Sequence, residues 1–284
     1  MKRVPFLNPL GGGLLFGVLA LTLPPACHAG FVYSCFPRAE QLSLNGRAAL
    51  TPDAQLRVAN NTGPLAAGSA FFTQKVDVAQ GFSSEFEFRI HSPSTSFGMA
   101  DGLTFMIQNA PQGTAALGGG GGNLGYTALP NNLVVEFDLF EPQSNSAHIA
   151  VHSRGTGLNS AGDDGRIGPV VPTPQLMDQQ VHTARVLYSP GTLSVLLDGQ
   201  PVLSRGIDLS SLLALDAGRA YVGFTAGVAT GNANFDLSRW EFLNSEPTVD
   251  LIGKTIPEPG GVTLAVIGVG LLVARRSRRD RRVQ

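Results

Sequence analysis

The sequence predicts an all-β fold, a β-sandwich of two antiparallel sheets. Of the 284 residues, 43% are hydrophobic and only 14% are charged, and the chain contains 35 glycines and 19 prolines. This balance excludes a disordered chain or a coiled coil and is typical of many short strands joined by tight turns. Apolar and polar residues alternate over about ten short runs without helical segments between them, as in a sandwich.

The alternation is clearest in residues 70–78 and 82–90, which have the pattern of half-buried strands. In the second run, Phe82, Phe86, Phe88 and Ile90 would face the core. Turn sequences, such as Ser-Pro-Gly at 189–191 and Asp-Gly at 198–199, separate the later runs. A single helical turn is predicted over 208–213, with Asp208 as its N-cap. The other predicted strands are 103–107, 133–140, 148–152, 183–188, 193–197, 220–226 and 235–242.

The first 29 residues have the features of a secretory signal peptide. Lys2 and Arg3 precede an apolar stretch over 10–23, and small residues follow up to Ala29, after which we predict cleavage. Lipidation at Cys27 is a weaker alternative, because two prolines interrupt the sequence that a lipoprotein signal needs. The mature chain then keeps only Cys35, which would be buried or paired with another chain.

Residues 257–284 have the features of a second targeting signal. Pro257-Glu258-Pro259 precedes an apolar segment over 262–274, and an arginine-rich tail follows. As a helix, about 13 residues rise only ~20 Å, so they would span a hydrocarbon core of roughly 30 Å marginally, with the arginines on the cytoplasmic side. This order resembles the PEP-CTERM sorting signal of Gram-negative bacteria, which an exosortase processes. The resemblance implies an exported protein, held transiently in the inner membrane and then released or attached at the cell surface or extracellular matrix. An ordinary tail anchor is the alternative.

Between these signals we predict one domain over 30–245 and a linker over 246–256. Residues 30–255 hold 12 of the 20 basic residues and 19 of the 21 acidic ones, which gives this stretch a net charge of −7. A nucleic-acid-binding face needs basic residues, so we expect no nucleic-acid partner. Acidic groups suit cations or neutral ligands better.

Glu136 and Asp138 lie two residues apart in a predicted strand, so their carboxylates would share one face. Such a pair without a basic partner usually binds a cation or carries out acid–base chemistry. Together with Asn145 and His148 it would offer oxygen and nitrogen ligands for Mn²⁺ beside Ca²⁺. The alternatives are a solvent-exposed polar strand face and a packed histidine.

A second candidate binding site consists of Asp101, at the start of a predicted strand, and the glycine run 118–122. Glycines let the backbone approach a ligand closely and offer N–H groups to its hydroxyls. A phosphate-binding loop is excluded, because no Lys-Ser/Thr pair follows and no helix begins there. A flexible loop is the alternative.

Six sequence blocks, in order, resemble the L-type (legume-lectin-like) family over about residues 42 to 242. The blocks are 42–48, 100–105, 122–125, 135–138 with 148–149, 220–226 and 236–242. The resemblance implies a jelly-roll (concanavalin A-like) sandwich that binds a sugar above a pair of metal ions and has no catalytic activity. Its expected partners are glycans or exopolysaccharide.

By position, the resemblance assigns carbohydrate binding to Asp101 and Gly122, with a cis peptide between Ala100 and Asp101, and the loop with Gly231 and Asn232 would close the edge of the site. It assigns binding of Ca²⁺ and Mn²⁺ to Glu136, Asp138, the carbonyl of Phe140 and His148. Asn145 joins both sets as a substitute for a missing family ligand.

The sequence departs from the family in the segment between Asp138 and His148, which we call the metal loop. Pro142 stands where the family has an asparagine, and no aspartate lies between Asp138 and His148. Gln143 or Asn145 would substitute, but a neutral amide binds calcium more weakly than a carboxylate does. A structural matrix protein with a lost sugar site is therefore one alternative function.

A glycoside hydrolase is another alternative. Glu136, Asp138 and Glu141 resemble the catalytic stretch of laminarinase-like enzymes, which share the jelly roll. A bulge would place Glu141 beside Glu136, with carboxyl groups roughly 5 Å apart, as retaining hydrolysis requires. Those enzymes line their cleft with tryptophans, whereas this chain has only Trp240. We therefore expect an exported lectin and no enzyme.

Overall fold

A computed structural model describes residues 30–60, 63, 65–92, 98–140, 147–229 and 233–244. These residues form two eight-stranded antiparallel sheets that pack face to face, which confirms the predicted fold class. The predicted signal peptide, the linker 246–256 and the sorting signal 257–284 lie outside the described residues. Within the described part, no helix is long and apolar enough to cross a membrane.

The back sheet has the strand order β14-β13-β12-β7-β16-β4-β3, and β1 also pairs with β16. Its strands are β1 (Gly30–Tyr33), β3 (Ala49–Leu50), β4 (Leu56–Ala59), β7 (Phe82–His91), β12 (Val181–Ser189), β13 (Gly191–Leu197), β14 (Gln200–Ile207) and β16 (Asn234–Leu243).

The front sheet has the order β11-β10-β9-β8-β15-β5-β2, and β6 also pairs with β15. Its strands are β2 (Leu42–Gly46), β5 (Ala66–Phe72), β6 (Val76–Asp77), β8 (Gly102–Gln108), β9 (Asn132–Asp138), β10 (His148–Ser153), β11 (Val171–Pro172) and β15 (Arg219–Val228). The described helices are α1 (Leu209–Leu212) and the 3₁₀ turns Gly113–Ala115, Gly121–Asn123, Asp163–Gly165 and Pro174–Met177.

Most predicted strands occur within two or three residues of their expected bounds, but the run 70–78 is interrupted. β5 ends at Phe72 and β6 begins only at Val76, so residues 73–75 separate two strands where the sequence predicted one. The sequence pattern also missed several strands, among them β14, an edge strand with Pro201 as its second residue. Proline cannot donate to a strand ladder, so it occurs mainly at such edges. The helical turn is confirmed: Asp208 accepts a hydrogen bond from Ser210 N–H.

The main core lies between the sheets. Phe82, Phe86, Phe88 and Ile90 are buried in it, as the alternation predicted. The Phe86 ring meets that of Phe224 from the front sheet at 4.9 Å. Burial of each such side chain contributes about 1.5–3 kcal/mol, which holds the front sheet firmly on the back sheet.

A second, smaller core lies on the other face of the front sheet. Phe71, Met106 and Val134 project from the sheet and pack against Leu124 and Tyr126. The loop that contains the glycine run is therefore fixed over the front sheet, on the face that also carries Glu136.

Cys35 is an exposed free thiol, so of the two alternatives, burial is wrong and pairing with another chain stays a prediction. It follows β1, the strand that pairs with the end of β16 through Gly30↔Leu243. The two ends of the described domain are consequently adjacent.

Candidate carbohydrate and metal site

Asp101 lies just before β8 and is held on three sides. Its N–H donates to the Gly227 carbonyl at 3.1 Å, and its own carbonyl accepts from Leu139 N–H at 2.8 Å. Its side-chain Oδ2 accepts from Ala229 N–H at 2.6 Å. The Ala100–Asp101 peptide is cis, as the family resemblance implied. One carboxylate oxygen is thus engaged by the protein, and Oδ1 faces Gly122.

Partial burial affects the ionisation of this carboxylate. Burial raises the pKa of Asp101 above its ordinary value of 3.8, although the hydrogen bond from Ala229 lowers it. A half-buried carboxylate can accept hydrogen bonds from a neutral ligand with little competition from water.

The glycine run is a packed loop rather than a flexible one. A Cβ on Gly120 would lie 2.0 Å from the Leu65 carbonyl oxygen, so this position admits no side chain. A Cβ on Gly122 would meet no backbone, and its nearest neighbour would be Asp101 Oδ1 at 3.7 Å. Gly122 therefore lies next to Asp101 Oδ1, with no side chain between them.

Glu136, Asp138 and His148 converge at the same end of the front sheet. Asp138 on β9 lies opposite His148 on β10, and one ligand atom from each of the three residues lies within 4.8 Å of the others. Glu136 and His148 are buried and Asp138 is half-buried, so the alternative of a solvent-exposed polar face does not hold. Two carboxylates and an imidazole fit a divalent ion such as Mn²⁺.

The metal candidates and Asp101 form one site. Gly102, the residue after Asp101, pairs with Asp138 across the β8–β9 ladder. Asp138 Oδ1 accepts a hydrogen bond from Phe140 N–H at 2.8 Å, which fixes the carboxylate at the turn that leaves β9. Phe140 is exposed, at 46%. Several residues named in the sequence analysis lie outside the described residues, so their predicted roles stay predictions. They are Glu141, Pro142, Gln143, Asn145, Gly231 and Asn232.

Two residues that the sequence analysis missed contact Glu136. The Tyr126 hydroxyl donates to Oε1 at 2.5 Å, and His152 Nε2 lies 2.9 Å from Oε2. The expectation that the carboxylate pair has no basic partner was therefore wrong. A signal was present: His148 and His152 are four apart in one strand, so both share a face with Glu136.

The contacts of His152 favour its protonated form. Its Nδ1 lies 3.1 Å from the Ser160 carbonyl, which can only accept, and its Nε2 faces a carboxylate. Burial lowers the pKa of His152, but the hydrogen bond and charge of Glu136 raise it by more, so that it lies above 6.5. Burial and the charge of Glu136 raise the pKa of Tyr126 well above 10.0, so its hydroxyl keeps its proton.

The geometry gives no support to the hydrolase alternative. Both oxygens of Glu136 already accept hydrogen bonds from the protein. Trp240 is fully buried in the main core, where its indole N–H donates to Ser84, so it lines no cleft.

The two-sheet sandwich, with three potential metal ligands at the end where Asp101 lies, is the arrangement expected of the L-type lectin class. The legume lectin domain matches residues 28–256, and the chain belongs to that family. The members of this family are carbohydrate-binding proteins rather than enzymes, and they generally bind Ca²⁺ and Mn²⁺.

Solved plant lectins share the fold at low identity. The lectin of Bauhinia forficata in complex with GalNAc is 23% identical, with a TM-score of 0.61, and the match covers 76% of this chain and 97% of that one. Basic winged bean lectin with Tn-antigen is also 23% identical, with a TM-score of 0.61, and the match covers 77% of this chain and 100% of that one. The seed lectin of Lotus tetragonolobus has the same identity and TM-score, and the match covers 76% of this chain and 100% of that one.

Proposed function

We propose that this chain is an exported lectin that binds a neutral sugar between Asp101 and Gly122. The observation that carries the proposal is the geometry of Asp101. Its Oδ2 is held by Ala229 and its Oδ1 faces the backbone of Gly122. A carboxylate accepts hydrogen bonds from sugar hydroxyls and a glycine N–H donates one, so the pair can bind adjacent hydroxyls of one ring. Asn145, Gly231 and Asn232 would complete the site.

The sugars bound by the solved relatives provide the first probes. Besides GalNAc, they include the methyl glycoside of α-L-fucose, bound by a lectin of Ulex europaeus, and galactose, bound by the lectin UEA-II. The ligand of this chain would be a glycan or exopolysaccharide that presents one such sugar, because a single Asp–Gly pair contacts only a few hydroxyls.

We propose further that Ca²⁺ and Mn²⁺ support the site. Glu136, Asp138, His148, the Phe140 carbonyl and Asn145 would hold the ions. When bound, a divalent cation supplies positive charge that fixes the carboxylates next to Asp101. The convergence of three ligand atoms supports this assignment.

Export rests on the sequence of the two ends. The signal peptide 1–29 would direct secretion, and the PEP-CTERM-like segment 257–284 would hold the protein in the inner membrane of a Gram-negative bacterium until an exosortase processes it. The linker 246–256 would separate this segment from the lectin domain. The product would act at the cell surface or in the extracellular matrix.

The sugar site is tested by Asp101→Asn. The amide keeps an oxygen that accepts from Ala229, so the fold should persist, but the negative charge is lost. Because hydrogen bonds to charged groups contribute about 1.5–3 kcal/mol each, we expect affinity to fall at least about tenfold. Binding to immobilised GalNAc, galactose and fucose, with Ca²⁺ and Mn²⁺ present, gives the readout.

Thermal melting of the variant is the control for folding. Unchanged sugar binding by Asp101→Asn would reject the site. Failure of the wild-type protein to bind any of these sugars or a polysaccharide would favour the structural matrix protein instead.

A further inference from the structure

Tyr126, Glu136 and His152 form a buried trio behind the candidate metal site. Their exposed fractions are 0%, 1% and 2%, and both donors contact the same carboxylate. In a buried position, a carboxylate with two directed donors has one orientation rather than several.

The two donors share an anchor. The Ser160 carbonyl lies 3.0 Å from the Tyr126 hydroxyl and 3.1 Å from His152 Nδ1. Ser160 is fixed in turn, because its N–H donates to Asn159 Oδ1 at 2.8 Å, and Asn159 donates to Asn132 Oδ1 at 2.6 Å. The trio is therefore connected to the start of β9, the strand that carries Glu136.

We propose that Tyr126 and His152 are positioning residues that hold Glu136 towards Asp138 and His148 before a metal ion arrives. A carboxylate has about four lone-pair sites, so two donors leave room for a metal ligand bond. The ion then binds without the cost of ordering the glutamate side chain. This inference rests on the metal binding in the proposed function.

The metal loop gives the reason why such positioning matters in this chain. Pro142 replaces an amide ligand, and no aspartate lies between Asp138 and His148, so fewer charged ligands are available. Preorganisation of the remaining ligands offsets part of that loss. Groups that hydrogen-bond to metal ligands typically raise the metal affinity by about one to two orders of magnitude.

The decisive variant is Tyr126→Phe in the full chain, which removes one hydroxyl and no charge. We expect the affinity for Mn²⁺, measured by isothermal titration of chelator-treated protein, to fall about tenfold or more. Tyr188→Phe is the matched control. Its buried hydroxyl accepts from Leu209 N–H at 3.1 Å in the back sheet, so its loss should leave the Mn²⁺ affinity unchanged.

His152→Leu tests the second donor. Weaker Mn²⁺ binding by this variant would show that His152 holds Glu136 in its metal-binding orientation, whereas unchanged binding would remove His152 from the proposal. His182→Leu, which breaks a histidine–carboxylate contact elsewhere, is the matched control.

A purely structural role is separated by melting with and without Mn²⁺. If the substitution only removes a structural hydrogen bond, the melting temperatures with and without Mn²⁺ fall equally. If it removes the positioning of Glu136, the increase in melting temperature that Mn²⁺ produces becomes smaller. If Tyr126→Phe binds Mn²⁺ as tightly as the wild type, the positioning role is wrong and the proposed function stands. If the wild type binds no Mn²⁺, both the positioning role and metal support are wrong.

Discussion

His182, on β12, lies between two carboxylates at the margin of the main core. Its Nδ1 is 2.8 Å from Asp198 Oδ2, and its Nε2 is 3.0 Å from Asp178 Oδ1. Burial lowers the pKa of His182, but its hydrogen bonds to Asp198 and Asp178 raise it above 6.5 overall. The imidazole ring thus links the turn after β13 to the segment before β12.

This arrangement predicts a pH-dependent stability for a His182→Gln variant. Because the folded pKa is raised, the contribution of His182 is full below the unfolded value of about 6.5 and is lost as pH rises through the folded value. Asp178 and Asp198 are partly exposed, so we expect only about 1 kcal/mol, or roughly 2–4 °C in Tm.

Melting of both proteins from pH 5 to pH 9 provides the measurement. The wild type should exceed the variant most at the acidic end of that range. A difference that stays constant, or grows with pH, would show that His182 does not act as a cation there.

Side-chain positions were predictable from the sequence where strand periodicity alone determines them. Glu136 and Asp138 share one face because they are two residues apart, and the structure brings His148 close to both. The contact with Tyr126 was not predictable, because it depends on how the glycine loop folds back over β9. Long-range hydrogen bonds of this kind require the fold to be known first.

At the scale of elements, the close approach of the glycine loop to β15 determines the shape of the site. A Cβ on Gly227 of β15 would lie 2.1 Å from the Gly121 carbonyl oxygen. Gly227 also accepts the hydrogen bond from Asp101 N–H. β15 and the loop can therefore meet only through glycine, and their contact places Gly122 beside Asp101.

Two alanine substitutions should separate stability from binding. Gly122→Ala meets no backbone, so Tm should hardly change, but its methyl group would cover Asp101 Oδ1 and weaken sugar binding by at least about tenfold. Gly227→Ala should displace the loop and cost about 1–3 kcal/mol of stability.

Melting and binding to an immobilised sugar, measured on the same preparations, check both expectations. Normal binding by Gly122→Ala would remove Gly122 from the site. A fully stable Gly227→Ala would contradict the described contact between β15 and the loop.

Strand assignment by alternation worked best for central strands. β7 is half-buried along its length, with Phe82 to Ile90 alternating inward and outward. β8 is buried on both faces, under the main core and the glycine loop, yet its apolar run was still recognisable. The edge strand β14 was missed, because half of its residues are exposed and Pro201 and Gly206 interrupt its sequence pattern.

At the scale of the whole molecule, the site and the two ends of the described domain lie at opposite ends of the sandwich. β16 starts beside the end of β7, at Asn234↔His91, and finishes beside its start, at Leu243↔Ser83. Ala229, which donates to Asp101, lies only five residues before Asn234 in the sequence, so the site lies at the end where β16 starts. Asn244, the last described residue, lies at the other end.

This polarity predicts that attachment to a membrane through residues 257–284 leaves the sugar site accessible. The full chain anchored in liposomes should bind a polysaccharide ligand with the same affinity per site as protein cut between residue 244 and Pro257. A sandwich attached at one end presents its opposite end to the solution, and no part of the described site would face the lipid. Surface plasmon resonance on captured liposomes measures the anchored form, with Asp101→Asn in the same liposomes as the control for non-specific adsorption. A large ligand that binds the cut protein but not the anchored chain would show that the linker turns the site towards the membrane.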